Sequence, residues 1–164
     1  MKNLSAEAIK RCKIAKDVLL LLEGHKIKAQ SGYYIRSGPQ IICQVCGIGA
    51  LVVAALHEQF PPDIAGNEAS RVLKILEPYF DFRQLALIEA AFEGNEYGEN
   101  IRATLFSMSA SAEDYDRYYD DNDEFIRARR MFIEPGSVVD DYNKILTEIM
   151  ENIIHHDGEF VVGD

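Results

Sequence analysis

The sequence predicts a mainly α fold, a single compact helical domain with a small β-hairpin or sheet. Three observations lead there. Apolar residues recur at the helical period near both ends: Leu4, Ala8, Ile9, Cys12, Ala15, Val18, Leu19 and Leu22 in one stretch, Ile145, Ile149 and Ile153 in the other. Between them, Ile41–Leu56 is a run of 16 residues without a charge. A helix that is apolar all round belongs at the centre of a core. Finally, residues 25–36 alternate around Ser31-Gly32, as a short hairpin does.

Taken in order, Ser5 is placed to cap a first helix and Gly24 to end it. The hairpin 25–36 follows. Residues 41–60 read as the central helix, stopped by Pro61-Pro62. A shorter helix covers 67–76, with Pro78 beyond it. Asp81 followed by Gln84 resembles a capping box. It opens a helix that turns Leu85, Ile88, Ala91 and Phe92 inward and closes at Gly94. Residues 98–108 suggest another short helix. The segment 111–132 starts with acids and ends with Arg127, Arg129 and Arg130, an order that suits a helix dipole but is equally open to a loop. The last helix spans 137–156, with a small closing strand expected at 159–162. No repeat, linker or low-complexity tract divides the 164 residues, so residues 1–164 are expected to form one domain.

Composition narrows the function classes. At this length a chain buries roughly 70% of its unfolded surface and needs neither metal nor disulfide for stability. No apolar run stands behind Lys2, so no secretory signal is expected. The 16-residue apolar run is shorter than the roughly 18–20 residues that cross a bilayer. Three cysteines, an odd number, are expected as free thiols in a reducing compartment, the cytoplasm. The net charge is −10. Residues 1–40 carry eight bases and three acids, a local +5, and the other 124 carry nine bases and 24 acids, a local −15. The overall sign repels a phosphate backbone, so general nucleic-acid binding is not expected.

Several motifs carry possible chemistry. Cys43-x-x-Cys46 would put two sulfurs on one face of a helix. Zinc would need two further ligands, and Cys12 and His25 are the donors near in the chain. Packed apolar thiols are the expectation, and no metal or other cofactor is expected. Gly47-Ile48-Gly49-Ala50 lacks the lysine of a P-loop, so its glycines are expected to let a neighbouring element approach closely. Within the hairpin, His25, Lys26, Lys28 and Arg36 stand near Tyr33 and Tyr34. Cations beside aromatic faces are what an anionic, nucleotide-like ligand asks for, and these six are the candidate ligand-binding residues. The acidic run within 111–130 could imitate nucleic acid toward a partner or serve as a solvated face. His155-His156 read as a helix end, and Glu89 and Glu93, one turn apart, have no acid–base partner that spacing identifies. No catalytic set emerges.

Cys43 through Leu51 (a Cys-x-x-Cys-x-x-Gly-Ala-Leu run), Gln84 through Glu93, and Ile149 through Phe160 occur in an order that resembles a family of small bacteriophage and prophage-borne proteins without assigned chemistry. The resemblance covers most of 10–93 and 140–162, and 96–136 reads as an acidic insertion against it. It implies a phage accessory protein acting in the host cytoplasm. The expected function is therefore binding, either of a host protein or of a small anionic signal, in a counter-defence role. The alternatives are a metal- or thiol-dependent enzyme centred on Cys43 and Cys46, and an acidic interaction protein using 111–130. Homo-oligomerisation stays open.

Overall fold

Ser5 accepts a hydrogen bond from the Ala8 N–H at 3.1 Å and so starts helix α1, Ala6–Glu23, which Gly24 ends. The computed structural model describes residues 3–31, 33–38, 41–56, 64–65, 69–94 and 123–163. Among them the chain is mainly α with one small sheet. After α1 come strands β1 (Ile27–Ala29), β2 (Tyr33–Gly38) and β3 (Ile41–Val45), then helix α2 (Gly47–Ala55), strand β4 (Ile64–Ala65), and helices α3 (Ala69–Leu76) and α4 (Phe82–Glu93). The described C-terminal part holds α5 (Asp123–Arg129) and α6 (Tyr142–His155).

Two readings of the sequence are corrected here. The apolar run from Ile41 is a strand and then a helix, with Cys46 at the junction, rather than one helix. Ile42 is exposed while Cys43 and Val45 are buried, a period of two that belongs to a strand. The second correction concerns pairing. β1 does not form a hairpin with β2; it runs parallel to β3, with Ile27 beside Cys43 and Ala29 beside Val45. The antiparallel partners are β2 and β3, with Ile35 opposite Val45, and the sheet order is β1-β3-β2-β4. The expected closing strand at 159–162 is extended chain outside any sheet. Other boundaries moved less. The last helix starts later than 137, at the cap Asp141, which accepts from the Lys144 N–H, and of the segment 111–132 the described residues form helix only over α5. The suggested helix 98–108 and residues 111–122 lie outside the described residues.

α2 is the hub. All nine of its residues are buried, and it packs against α1, α3, α4 and the sheet. α6 lays Ile145, Leu146, Ile149, Met150 and Ile153 against α1 and α4, each such side chain contributing roughly 1.5–3 kcal/mol when fully buried. The chain ends are tied by polar contacts. Arg11 donates to the carbonyls of Gly158 at 2.7 Å and Tyr79 at 3.2 Å. Gln84, buried on α4, donates to the Phe160 carbonyl at 3.0 Å and accepts from the Phe160 N–H at 2.6 Å. Among the described residues no helix is long and apolar enough to cross a membrane.

Gly49 controls how α2 meets the sheet. A Cβ there would lie 1.7 Å from the Tyr34 carbonyl oxygen, a backbone atom that has no rotamer to escape by. Gly49→Ala is therefore expected to lose about 3 kcal/mol of stability through overpacking, whereas Gly163→Ala, with open space around it, should be neutral in the same denaturant titration. Gln84→Leu should cost about 2 kcal/mol, because it strands the two backbone groups of Phe160; urea unfolding measures this loss.

Candidate metal centre

The turn from β3 into α2 aims Cys46 inward. The Cys46 N–H donates to the Tyr34 carbonyl at 3.2 Å, which fixes the turn on β2. Cys46 is the N-cap of α2, and its Sγ accepts from the Gly49 N–H at 3.4 Å. Gly47, the first residue of α2, lets Phe92 of α4 come close: an added Cβ would meet the Phe92 ring at 3.3 Å. The start of α2 therefore sits directly on the last turns of α4.

On that face of α4 stand Glu89 and Glu93, four residues apart and so stacked on one side of the helix. Glu89 is 1% exposed and Glu93 5%. The Cys46 sulfur and one oxygen from each carboxylate lie within 4.8 Å of one another. Apart from the adjacent Glu93 carboxyl, with which Glu89 can share a proton, neither Glu89 oxygen has a hydrogen-bond partner among the described residues. Tyr34, also buried, is close enough to feel all three groups. Gly94 takes a left-handed conformation, φ 64°, and stops α4 one residue past Glu93.

Electrostatically the cluster is under-compensated. Burial first, then the adjacent Glu93, push the Glu89 carboxyl well above the usual carboxylate range. Burial, then Glu89 and Glu93, raise the Cys46 thiol; the Gly49 and Ile48 amides of the helix start oppose this but do not outweigh it. Tyr34 is raised mainly by burial, then by the charge of Glu89. The two glutamates also occupy the C-terminal half of α4, and the negative end of the helix dipole disfavours an anion in its last turn. A cation among the three donors would relieve every one of these terms.

The residues singled out in the sequence are distributed differently. Cys46 joins this cluster, but Cys12, His25 and Cys43 belong to no group of three metal donors among the described residues. Cys43 is buried on β3, Cys12 is half-buried on α1, and His25 is exposed in the α1–β1 turn. Lys28 and Arg36 flank Gln44 from either side, on β1 and β2 with β3 between them. Lys26 is exposed before β1, and Tyr34 is buried in the core, so its ring offers no surface for a base to stack on. The recess beside Arg36 and Gln44 is about 60 Å³, far below the roughly 300 Å³ at which small-molecule sites begin. The Tyr33 side chain lies outside the described residues. His155 and His156 end α6, exposed and edge to face. α5 presents Asp123 to solvent but buries Phe125 and Ala128 against α4. What spacing could not supply was a partner for Glu89 and Glu93. The available signal was two acids set among Leu85, Ala86, Leu87, Ile88, Ala90, Ala91 and Phe92, on a helix otherwise built for a core.

Comparison with protein-family models, with curated proteins and with solved structures returns no match. The functional reading rests on the geometry of the chain.

Because burial and Glu93 hold the Glu89 carboxyl above the ordinary carboxylate value of 4.5 in the folded chain, ionisation favours the unfolded state. The stability contributed by the protonated acid is present at low pH and fades as pH rises above that value. In the presence of a chelator, Glu89→Gln should therefore gain melting temperature relative to the parent steadily from about pH 4.5 upward. A difference that stays flat with pH would show that Glu89 ionises as easily folded as unfolded.

Proposed function

We propose that this protein is a metal-dependent protein whose single divalent ion is held by the Cys46 thiolate and the Glu89 and Glu93 carboxylates. The observation that carries the reading is Glu89: a fully buried carboxyl whose oxygens meet no partner among the described residues apart from the adjacent Glu93 carboxyl, with a thiol beside the pair and the three donor atoms within 4.8 Å of one another. A buried polar group without a partner costs about 1–3 kcal/mol or more, and a chain retains one when it serves another purpose.

The donor set fits a borderline ion. One thiolate with two carboxylates suits zinc or iron(II) better than magnesium or calcium, which take oxygen alone. Tetrahedral bonds of about 2.0–2.3 Å put ligand atoms roughly 3.3–3.8 Å apart, so side-chain rotation is enough to close the donors on an ion. Three protein ligands leave a fourth position for water or substrate, the arrangement of catalytic rather than structural zinc. This reading keeps the thiol-dependent alternative raised by the sequence but moves its centre from the Cys43–Cys46 pair to Cys46 and α4. The phage-accessory context implied by the family resemblance is compatible with it and supplies no ligand.

Protein purified without a histidine tag is expected to carry close to one equivalent of zinc or iron by elemental analysis. Cobalt(II) substitution should give a thiolate-to-metal charge-transfer band. Cys46→Ser should abolish that band, and Glu89→Gln should weaken metal affinity by at least about tenfold. A folded, metal-free protein that takes up no zinc, iron(II) or cobalt(II) on titration would overturn the proposal.

A further inference from the structure

α1 keeps one side out of the core. Ala8, Ile14, Ala15, Val18 and Leu21 are its buried residues, and they hold it against α2 and α6. On the opposite side stand Ile9, Lys13, Lys16 and Leu20, all exposed. Their spacing at helical steps puts them in one row about 16 Å long. The row has an apolar residue at each end, Ile9 at 57% exposure and Leu20 at 64%, with the lysines between. Lys13 is already held by Asp17 at 2.8 Å, so Lys16 is the cation that the row presents outward.

A second surface has the opposite sign. A groove of about 470 Å³ runs between the 131–139 connection and the first turns of α6. Met131, Phe132, Val138, Val139 and Ile145 give it an apolar lining. Ile145 is buried, and Met131, Phe132 and Val139 are half-buried against the core, so the lining is held from behind. Val138 stands 87% exposed at the edge. Asp140, Asp141 and Glu148 line the groove against one base, Lys144. No residue of α1 contributes to it, and neither do Cys46, Glu89 and Glu93.

The two surfaces complement each other. Residues 1–40 carry a local +5 and the other 124 a local −15, so the row on α1 and the groove repeat locally the charge division of the whole chain. Opposed charges steer and align an encounter, and apolar side chains at the centre of a contact supply the burial. α1 is fixed by its own core residues and cannot leave to fill the groove of its own chain. We propose that the occupant is a second copy of this protein, with the Ile9–Leu20 row of one copy docked in the groove at the start of α6 of the next. Lys16 faces the acids of the groove, and the apolar ends of the row meet Val138 and its neighbours. The contact joins two different surfaces, so it is head-to-tail. Each copy keeps a groove and a helix row for further copies, and assembly grows until a ring closes.

The test is sedimentation of the full-length protein over a range of concentrations. The parent should show a weight-average mass that rises with concentration above the 18.5 kDa of one chain. Association should weaken as salt rises from about 0.05 M to about 0.5 M, because exposed charges are screened. Leu20→Asp spoils the row and Val138→Asp the groove; both change exposed side chains, and each should weaken association at least about tenfold. Mixed in equal amounts, the two variants retain one intact row and one intact groove between them and should form a one-to-one dimer that grows no further. A parent that stays at the mass of one chain, association that salt leaves unchanged or strengthens, variants that associate as the parent does, or a mixture that does not pair would each overturn the proposal. None of these outcomes bears on the metal centre, whose residues lie outside both surfaces.

Discussion

The junction at Cys46, where strand β3 becomes helix α2 over the carbonyl of Tyr34, is the constraint on which the rest of the structure depends. Gly49 has no side chain, so the helix can lie almost on the backbone of β2. Gly47 gives α4 the same closeness from the other side, through Phe92. With both approaches so tight, α2 has little freedom to slide or rotate. The direction of the Cys46 side chain is thereby set by backbone packing, and a donor fixed in that way is preorganised for a ligand.

That preorganisation works against the stability of the ion-free chain. Two carboxyls and a thiol are buried together; Glu93 raises the proton affinity of Glu89, and both acids raise that of Cys46. The backbone contributes unequally. The start of α2 offers amides to the sulfur, while the last turn of α4 sets its negative pole beside Glu93. A divalent cation bound there would resolve the conflict, since it would take the deprotonated forms that burial otherwise disfavours. Gln84, buried on the same helix, is satisfied by both backbone groups of Phe160, whereas the Glu89 oxygens find only the second acid beside them.

The position of the cluster matters as much as its composition. Because α4 stops at Gly94, Glu93 reaches both the interior and the space bounded by α5, the 130–139 connection and α6. The arginines that the sequence places at the end of an acidic segment thus become the walls of a cavity next to the cluster. On the sheet, β3 inserts between β1 and β2, so Lys28 and Arg36 are held one strand apart from each other, and Tyr34 turns into the core.

Local rules written into the sequence determined the helix caps at Ser5 and Asp81, the stops at Gly24 and Gly94, the amphipathic faces of α1 and α6, and the mainly α class, because capping and periodicity act over a few residues. From the sequence, the strand Ile41–Val45 reads as the start of a helix, because a continuous apolar run gives the same pattern in a buried helix and a buried strand. Strand order was not legible at all, since a parallel partner for β1 is chosen by distant packing rather than by the nearest turn. Nor was the candidate site: Cys46 and Glu89 are 43 positions apart in the chain, and only the docking of α2 on α4 makes them neighbours. Charge placed among apolar residues was visible in the sequence; what it faces was decided by the tertiary structure, because electrostatic compensation depends on distance in space and burial, and neither is encoded in sequence spacing.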